Sequence, residues 1–297
     1  MDRTSIEAWY RGFQERFCAA VETAEPDQRF GIDDWERPGG GGGRTRILAG
    51  GSVIEKAACN FSAVWGTTPP KMTERMAGIG TEFFATGVSI IVHPRNPYAP
   101  TFHANVRYFE SKNAEGAVTA WFGGGGDLTP YYLFEEDAKH FHSVLRASCD
   151  RHEVADYAGW KRECDEYFYL HHRKETRGVG GLFFDHLTER MDETWAFQQD
   201  LADSLAPAYV PLVQRRCETP YGEHEVEWHE IRRGRYVEFN LVWDVGTKFG
   251  LETDGRTESI LGSMPPRARW EYCYEPEPGS AEAALLSLVR GTPRDWA

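Results

Sequence analysis

A run of alternating residue types at 102–110 carries the first candidate chemistry of this chain. Side chains two residues apart lie on the same face of a strand, so His103, Asn105 and Arg107 should line one face. Polar groups of this kind cost roughly 1–3 kcal/mol each when they are buried without a partner. The row therefore indicates either a face that binds a polar ligand or a strand whose polar face is in water.

Neighbouring segments add further polar groups to this region. The same parity places Ser89 and His93 on one face of the preceding strand, at 88–93. Asp127 follows four glycines and precedes Leu-Thr-Pro, which predicts a carboxylate held on a constrained turn. Such an aspartate either takes part in the chemistry or only caps the turn. We expect His103, Arg107 and Asp127 to line one shared cavity.

Two glycine tracts, at 39–43 and 123–126, lack the spacing of nucleotide-binding loops. No Gly-Lys pair exists for a P-loop, and neither tract has the G-x-G-x-x-G pattern. We expect turns there, or places where the backbone approaches a neighbour closely. The ten histidines contain no H-E-x-x-H pattern, so a metal would need ligands from distant elements.

The charge balance limits the kind of partner. The 297-residue chain has a net charge of −13, which disfavours nucleic acids because phosphate binding needs a basic stripe. Its cations are 26 Arg and 7 Lys, and arginine suits planar carboxylate recognition. Arg232, Arg233 and Arg235 precede a predicted strand that carries Glu238 and Asn240. This density of cations indicates an anion site or, alternatively, a solvated surface.

Helices and strands must position these groups. A capping box, Thr4-x-x-Glu7, precedes apolar residues at helical spacing and predicts a helix over about 5–23. Strands are expected at 88–93, 102–110 and 117–122, the last one ended by the glycines. Helices follow from Glu135, over about 154–171 and over about 188–205, where the last one either ends or continues past Pro207. A strand at 235–243 and a helix at 281–290 capped by Ser280 come after them. This order predicts one α+β domain over residues 1–297.

Composition also bears on the cellular location. The six cysteines are scattered without C-x-x-C spacing, as is typical of reduced thiols. No apolar run approaches the ~18 residues that a membrane span needs, and the charged N-terminus lacks signal or transit character. We therefore expect a cytoplasmic protein with no membrane span.

Several long segments are specific enough to indicate a family. The chain resembles the oxygen-dependent coproporphyrinogen III oxidases of haem biosynthesis. The similar segments are 35–46, 93–109, 121–132, 172–185, 234–244 and 256–272.

This resemblance implies a large, flat antiparallel sheet between two layers of helices, and a homodimer formed through about Val237 to Tyr272. It implies oxidative decarboxylation of two propionates of coproporphyrinogen III to vinyl groups, giving protoporphyrinogen IX with O₂ as the oxidant. It implies no organic cofactor, while a divalent metal is an open question.

The resemblance also assigns residues. His103 matches the proposed proton donor, and Asp127 and Asp244 match acids proposed for catalysis or for anchoring the pyrroles. Substrate contacts are implied at Ser89, Asn105, Val106, Arg107, Gly255 and Arg256. His93, His103, His142 and His172 match positions that are sometimes assigned to a metal in bacterial relatives.

Three positions depart from the family pattern. Val245 stands where relatives commonly have arginine, so Arg233 is a candidate for the missing propionate contact. Asp254 and His186 replace a frequent glycine and a frequent aspartate. Two other functions stay open: a tetrapyrrole carrier without catalysis, and a metal-dependent oxygenase built on the histidines. A radical enzyme for the same step is disfavoured because its cysteine cluster motif is absent.

Overall fold

The computed structural model describes residues 2–76, 78–252 and 255–297. Its helices are α1 Arg3–Glu22, α2 Pro70–Arg75, α3 Glu135–Cys149, α4 Tyr157–Tyr167, α5 Met191–Arg216, α6 Glu223–Glu238, α7 Val245–Glu252, α8 Thr257–Leu261 and α9 Ala281–Arg290. A π-helical turn, Phe239–Trp243, continues α6. The strands are β1 Asp33–Glu36, β2 Gly41–Ala49, β3 Ile54–Thr67, β4 Glu82–Pro94, β5 Thr101–Lys112, β6 Val118–Thr129, β7 Tyr169–Leu170, β8 Glu175–Thr176 and β9 Gly180–Leu187.

One antiparallel sheet dominates the part of the chain that the structure describes. It has seven strands in the order β1-β2-β3-β4-β5-β6-β9, so the first six strands pair with their neighbours in sequence. The predicted α+β class and antiparallel meander are confirmed. Among the described helices, none combines the length and apolar character needed to cross a bilayer.

The two faces of the sheet have different chemistry. One face carries apolar residues such as Val88, Phe102 and Val106, which pack on α1, α3 and α5 in the main core. Apolar residues of α1 recur at helical spacing and fill this core, as the sequence predicts. The other face carries the alternate residues of the same strands, and α6, the π-helical turn and α8 lie on that side. The polar row of β5 therefore faces away from the main core.

Two of the predicted elements are wrong, and both errors concern the site. Residues 235–243 are the end of α6 and the π-helical turn instead of a strand. Glycines 123–126 do not end the third strand, because β6 continues through them and pairs with β5 and β9 on its two sides. Asp127 therefore lies within a strand, directly opposite His103, and not on a turn.

Smaller differences concern the ends of elements. Asp2, and not Thr4, caps α1, since its carboxylate accepts a hydrogen bond from the Ser5 N–H at 3.1 Å. Glycines 41–43 open β2 instead of forming a turn, and they are places of close backbone approach, since a Cβ atom on Gly41 would lie 2.1 Å from the Ala63 carbonyl oxygen. The second predicted helix, α4, is shorter than expected. Of the two ends considered for α5, the continuation past Pro207 is confirmed, and the helix runs to Arg216. Helix α9, capped by Ser280, is confirmed at its predicted bounds.

Candidate active site

The middle of the sheet is open on its polar side. Ser89 lies on the central strand β4, which has three strands on each side, yet its side chain is exposed. Its register partner Asn105 and the next residue of the row, Arg107, are half-buried. An exposed residue on a central strand indicates a cleft above that strand. Polar side chains form the floor of this cleft.

Glycines make the floor of this cleft flat. Gly87 pairs with Arg107 on one side of β5, and Gly123 pairs with it on the other side. A Cβ atom on Gly87 would lie 2.4 Å from the Val106 carbonyl oxygen, and one on Gly125 would lie 2.1 Å from the Leu182 carbonyl oxygen. Strands approach this closely only where there is no side chain.

Helices α7 and α8 lie on the polar side of the sheet. Hydrogen bonds hold this pair of helices at two points, the start of α7 and the middle of α8. At one end, Asp244 caps α7 by accepting from the Thr247 N–H at 2.6 Å, and it accepts from the Tyr167 hydroxyl at 2.7 Å. At the other end, Ser259 of α8 bonds to Thr45 at 2.6 Å, on β2 of the sheet. Between these ends α7 has no buried residue. The residues of α7 are therefore all at least partly in contact with solvent.

A buried carboxylate orients the imidazole of His103. Asp127 Oδ1 lies 2.8 Å from His103 Nδ1, and Arg177 Nη2 donates to both oxygens of Asp127 at 2.7 and 2.8 Å. Asp127 and Arg177 are each only 1% exposed. Arg177 also donates to Asn240 at 3.0 Å, and its guanidinium lies 4.0 Å from the centre of the Phe168 ring.

The charge on Arg177 determines the state of Asp127. Burial alone would raise the pKa of Asp127, but the Arg177 guanidinium and the hydrogen bond from His103 outweigh it and lower this pKa. The carboxyl group is therefore ionised at neutral pH and can only accept hydrogen bonds. Nδ1 of His103 must then carry a proton, and Nε2 is the ring nitrogen that remains for a ligand or for a transferable proton.

The candidate arginines both have acidic partners from the edges of the sheet. Arg107 pairs with Asp185 of β9 at 2.9 Å and also donates to Asn105. Arg256 pairs with Asp33 of β1. Gly255 precedes Arg256 and closes the turn after α7, because its N–H donates to the carbonyl of residue 250 at 2.8 Å.

Other predicted residues lie elsewhere. Val106 is buried on the apolar face, so its side chain does not line the cleft. Arg233 is buried in a pair with Glu55 at 2.6 Å and donates to the Pro94 carbonyl at 2.9 Å. It does not replace the family arginine at the position of Val245, which is itself exposed. Asp254 lies outside the described residues.

The four histidines predicted as metal ligands do not form a common site. Three of them use both ring nitrogens in hydrogen bonds to protein groups: His93 to Thr101 and the Ser263 carbonyl, His142 to Tyr157 and the Val179 carbonyl, and His172 to Glu238 and Trp243. Burial lowers the pKa of His142 to about 3, so this ring is neutral. No group of three or more suitable ligands is assembled within the described ranges. This arrangement does not fit the predicted metal set.

Sequence reasoning missed two residues of the site, Arg177 and Asp185. Both fall inside the segment 172–185 that carries the family resemblance, so a signal for them existed. The local sequence around Arg177 does not by itself predict this role, because neither alternation nor spacing indicates that a guanidinium after β8 becomes buried against Asp127.

Comparisons with known proteins identify the family of the chain. A sequence model of the family described as coproporphyrinogen III oxidase matches residues 5–296. The chain is 48% identical over 306 residues to a protein from Glycine max named oxygen-dependent coproporphyrinogen-III oxidase, chloroplastic. That alignment covers 99% of this chain and 79% of the relative.

Proposed function

Because the chain belongs to the coproporphyrinogen III oxidase family, we propose that its cleft binds coproporphyrinogen III. The enzyme converts two propionates of this substrate to vinyl groups and gives protoporphyrinogen IX, with O₂ as the oxidant. The observation that carries the proposal is the imidazole of His103, which a buried Asp127–Arg177 pair orients at a flat, polar cleft.

The cleft suits a flat molecule with several carboxylates. Its polar row runs from His103 to Arg107 of β5, a distance of about 13 Å at ordinary strand rise. Arg107 and Arg256 reach it from two sides and bind propionates, because guanidinium groups match carboxylates in charge and geometry. These contacts fix the position of the reacting propionate relative to His103.

The proton balance of the reaction assigns a role to His103. A propionate and O₂ give a vinyl group, CO₂ and H₂O₂, and this conversion consumes one proton for each propionate. His103 supplies that proton from Nε2 to the reduced oxygen, and Asp127 balances the positive charge of the ring before the transfer. No side chain removes the unactivated hydrogen of the propionate; the electron-rich macrocycle reacts with O₂ instead.

The two acidic residues have separate roles in this proposal. Asp127 is fully occupied by Arg177 and His103, so it orients the imidazole and does not touch the pyrroles. Asp244 is half-buried at the start of α7 and accepts one hydrogen bond on each oxygen, from Tyr167 and Thr247, so its remaining lone pairs accept pyrrole N–H groups. No step is assigned to a metal or an organic cofactor.

Oxygen uptake and CO₂ release with coproporphyrinogen III test this function. We expect one O₂ consumed for each CO₂ released and an unchanged rate after treatment with a chelator. A carrier would bind the tetrapyrrole without consuming O₂. Loss of activity on chelation, restored by adding a divalent metal, would instead support the metal-dependent oxygenase.

We also propose that the protein is a homodimer through the region from Val237 to Tyr272. Exposed apolar side chains support this proposal, since large exposed apolar patches often mark protein interfaces. They include Leu241, Val242, Trp243, Val245, Trp270 and Tyr272, the last of which is 97% exposed. The cytoplasmic location stays a prediction that cell fractionation can test.

A further inference from the structure

Arg107, a proposed propionate ligand, is paired with an acidic residue of the protein itself. Its Nη2 lies 2.9 Å from Asp185 Oδ2, and the two side chains are 34% and 36% exposed. Both groups therefore reach the solvent of the cleft. A substrate carboxylate that binds Arg107 must compete with this internal carboxylate.

The backbone accommodates this pair. A Cβ atom on Gly123 would lie 2.5 Å from Asp185 Oδ1 and 2.9 Å from Arg107 Nη2. The pair can lie flat on the sheet only because this position is glycine. The guanidinium also lies 5.4 Å from the centre of the Phe183 ring, which supports it from the side of β9.

Asp185 has a second set of partners that does not involve Arg107. The backbone N–H of His186 donates to Asp185 Oδ1 at 2.9 Å, and the Nδ1 atom of His186 lies 3.3 Å from Oδ2. The His186 backbone is left-handed, with φ of 54°, which is uncommon for a residue other than glycine. Its ring stacks on Trp121 with ring centres 5.0 Å apart. The stack and the backbone hold the imidazole beside the carboxylate.

We propose that Asp185 is an exchangeable carboxylate, which occupies Arg107 in the empty cleft and is displaced by a propionate of the substrate. The inference rests on the proposed function and adds a determinant of affinity to it. His186 keeps Asp185 hydrogen-bonded after the exchange, so the displaced carboxylate is not left without a partner. After the reaction, Asp185 competes with the remaining propionates of the product for Arg107, and this competition favours release of the product.

Binding of coproporphyrin III tests the exchange without turnover, because this oxidised tetracarboxylate is not a substrate for decarboxylation by O₂. Quenching of its fluorescence gives Kd for the wild type, Asp185→Asn, Arg107→Ala and the double variant. We expect Asp185→Asn to lower Kd about fivefold, the size expected for a half-exposed ion pair. In the Arg107→Ala background the same change should lower Kd less than twofold.

The double variant separates exchange from two simpler explanations. If Asp185 only repels anions at long range, the gain persists without Arg107. If Asp185 only aims Arg107, then Asp185→Asn raises Kd. Either result would overturn the proposal. Asp203→Asn is the control, since Asp203 also pairs with an arginine at 2.9 Å, Arg16, in a more exposed pair, and it should leave Kd unchanged.

Steady-state kinetics provide a readout that a purely structural role would not move. With coproporphyrinogen III, Asp185→Asn should lower KM about fivefold. It should not raise kcat, because Asp185 no longer competes with the product propionates for Arg107 and product release is not accelerated. An increase in KM would refute the exchange. If the wild type consumes no O₂ at all, the proposed function fails, while the coproporphyrin cycle still decides whether Asp185 competes for Arg107.

His186→Asn tests the second set of partners. Asparagine tolerates the left-handed backbone but lacks the imidazole. We expect about twofold weaker binding of coproporphyrin III, because the displaced Asp185 loses one partner. Unchanged or tighter binding would remove His186 from the mechanism of exchange.

Discussion

Replacing Arg177 with methionine should separate the stability of the buried pair from its role in catalysis. Arg177 and Asp127 are each 1% exposed, and the guanidinium donates to both carboxylate oxygens. Methionine keeps most of the volume of the arginine side chain, but Asp127 then loses one of its two side-chain partners and keeps His103. Loss of one partner of a buried ion pair costs about 3–5 kcal/mol. We expect the free energy of unfolding at pH 7 to fall by that amount.

The double variant Asp127→Asn with Arg177→Met should recover most of this loss. Replacing both charges removes the buried unpaired carboxylate, and such replacements are often neutral or stabilising. The activity should not recover, because the ring of His103 still lacks its anionic partner. We expect kcat to stay about 10²–10⁴-fold below the wild type in both variants.

The pH dependence of the single variant has a defined sign. In the wild type, Arg177 and His103 lower the pKa of Asp127 despite burial, so this group stabilises the fold above its unfolded pKa and stops doing so as pH falls. In Arg177→Met, burial is no longer opposed by the guanidinium and the folded pKa rises. The difference in stability should therefore be largest at pH 7 and should shrink towards pH 3.

Urea unfolding followed by tryptophan fluorescence measures the stabilities, and oxygen uptake measures kcat. Two results would refute the reasoning. One is a single variant within about 1 kcal/mol of the wild type at pH 7, which would mean that Asp127 is not a buried charge. The other is a double variant with restored activity, which would mean that Asp127 does not orient His103.

Three further predictions follow from other contacts. His103→Gln should lower kcat about 10²–10⁴-fold with KM changed less than threefold, as measured by oxygen uptake; a fall in the free energy of unfolding that accounts for the loss would contradict it. Glu238→Gln should destabilise the fold by about 1–3 kcal/mol at pH 7. Burial raises the pKa of Glu238, but hydrogen bonds from Arg173 and His172 outweigh burial and lower this pKa to about 2. Thermal melts should show this difference disappearing between pH 5 and pH 2. Leu241→Asp should convert the proposed dimer to a monomer in light scattering, and an unchanged mass would place the interface elsewhere.

The polar row of the site could be predicted from sequence because strand parity is a strict constraint. A residue two positions along a strand returns to the same face, so His103, Asn105 and Arg107 had to appear together if 102–110 was a strand. The sequence also indicates Asp127 as a candidate carboxylate. It does not predict that Asp127 lies within β6, since four glycines ordinarily interrupt a strand. Pairing on both sides by β5 and β9 overrides that preference.

The error at 235–243 has a related physical cause. Val237, Phe239 and Leu241 alternate as in a strand, yet Tyr236 and Phe239 are also three residues apart, which suits a helix. In the structure Tyr236 and Phe239 are buried, whereas Leu241 is 46% exposed. The pattern was consistent with both structures, and contacts from distant residues decided between them. The buried position of Arg177 depends on such contacts throughout, so local sequence does not predict it.

Backbone atoms, and not side chains, make up the base of the cleft at Gly87, Gly123 and Gly125. A Cβ atom would collide with the backbone of a neighbouring strand at Gly87 and Gly125, and at Gly123 it would displace the Arg107–Asp185 pair. Evolution of a new specificity on this scaffold is thereby confined to the side chains that alternate with these glycines, such as Ser89, and to the walls of the cleft. The same restriction gives protein engineers a small set of positions to randomise and three to leave untouched.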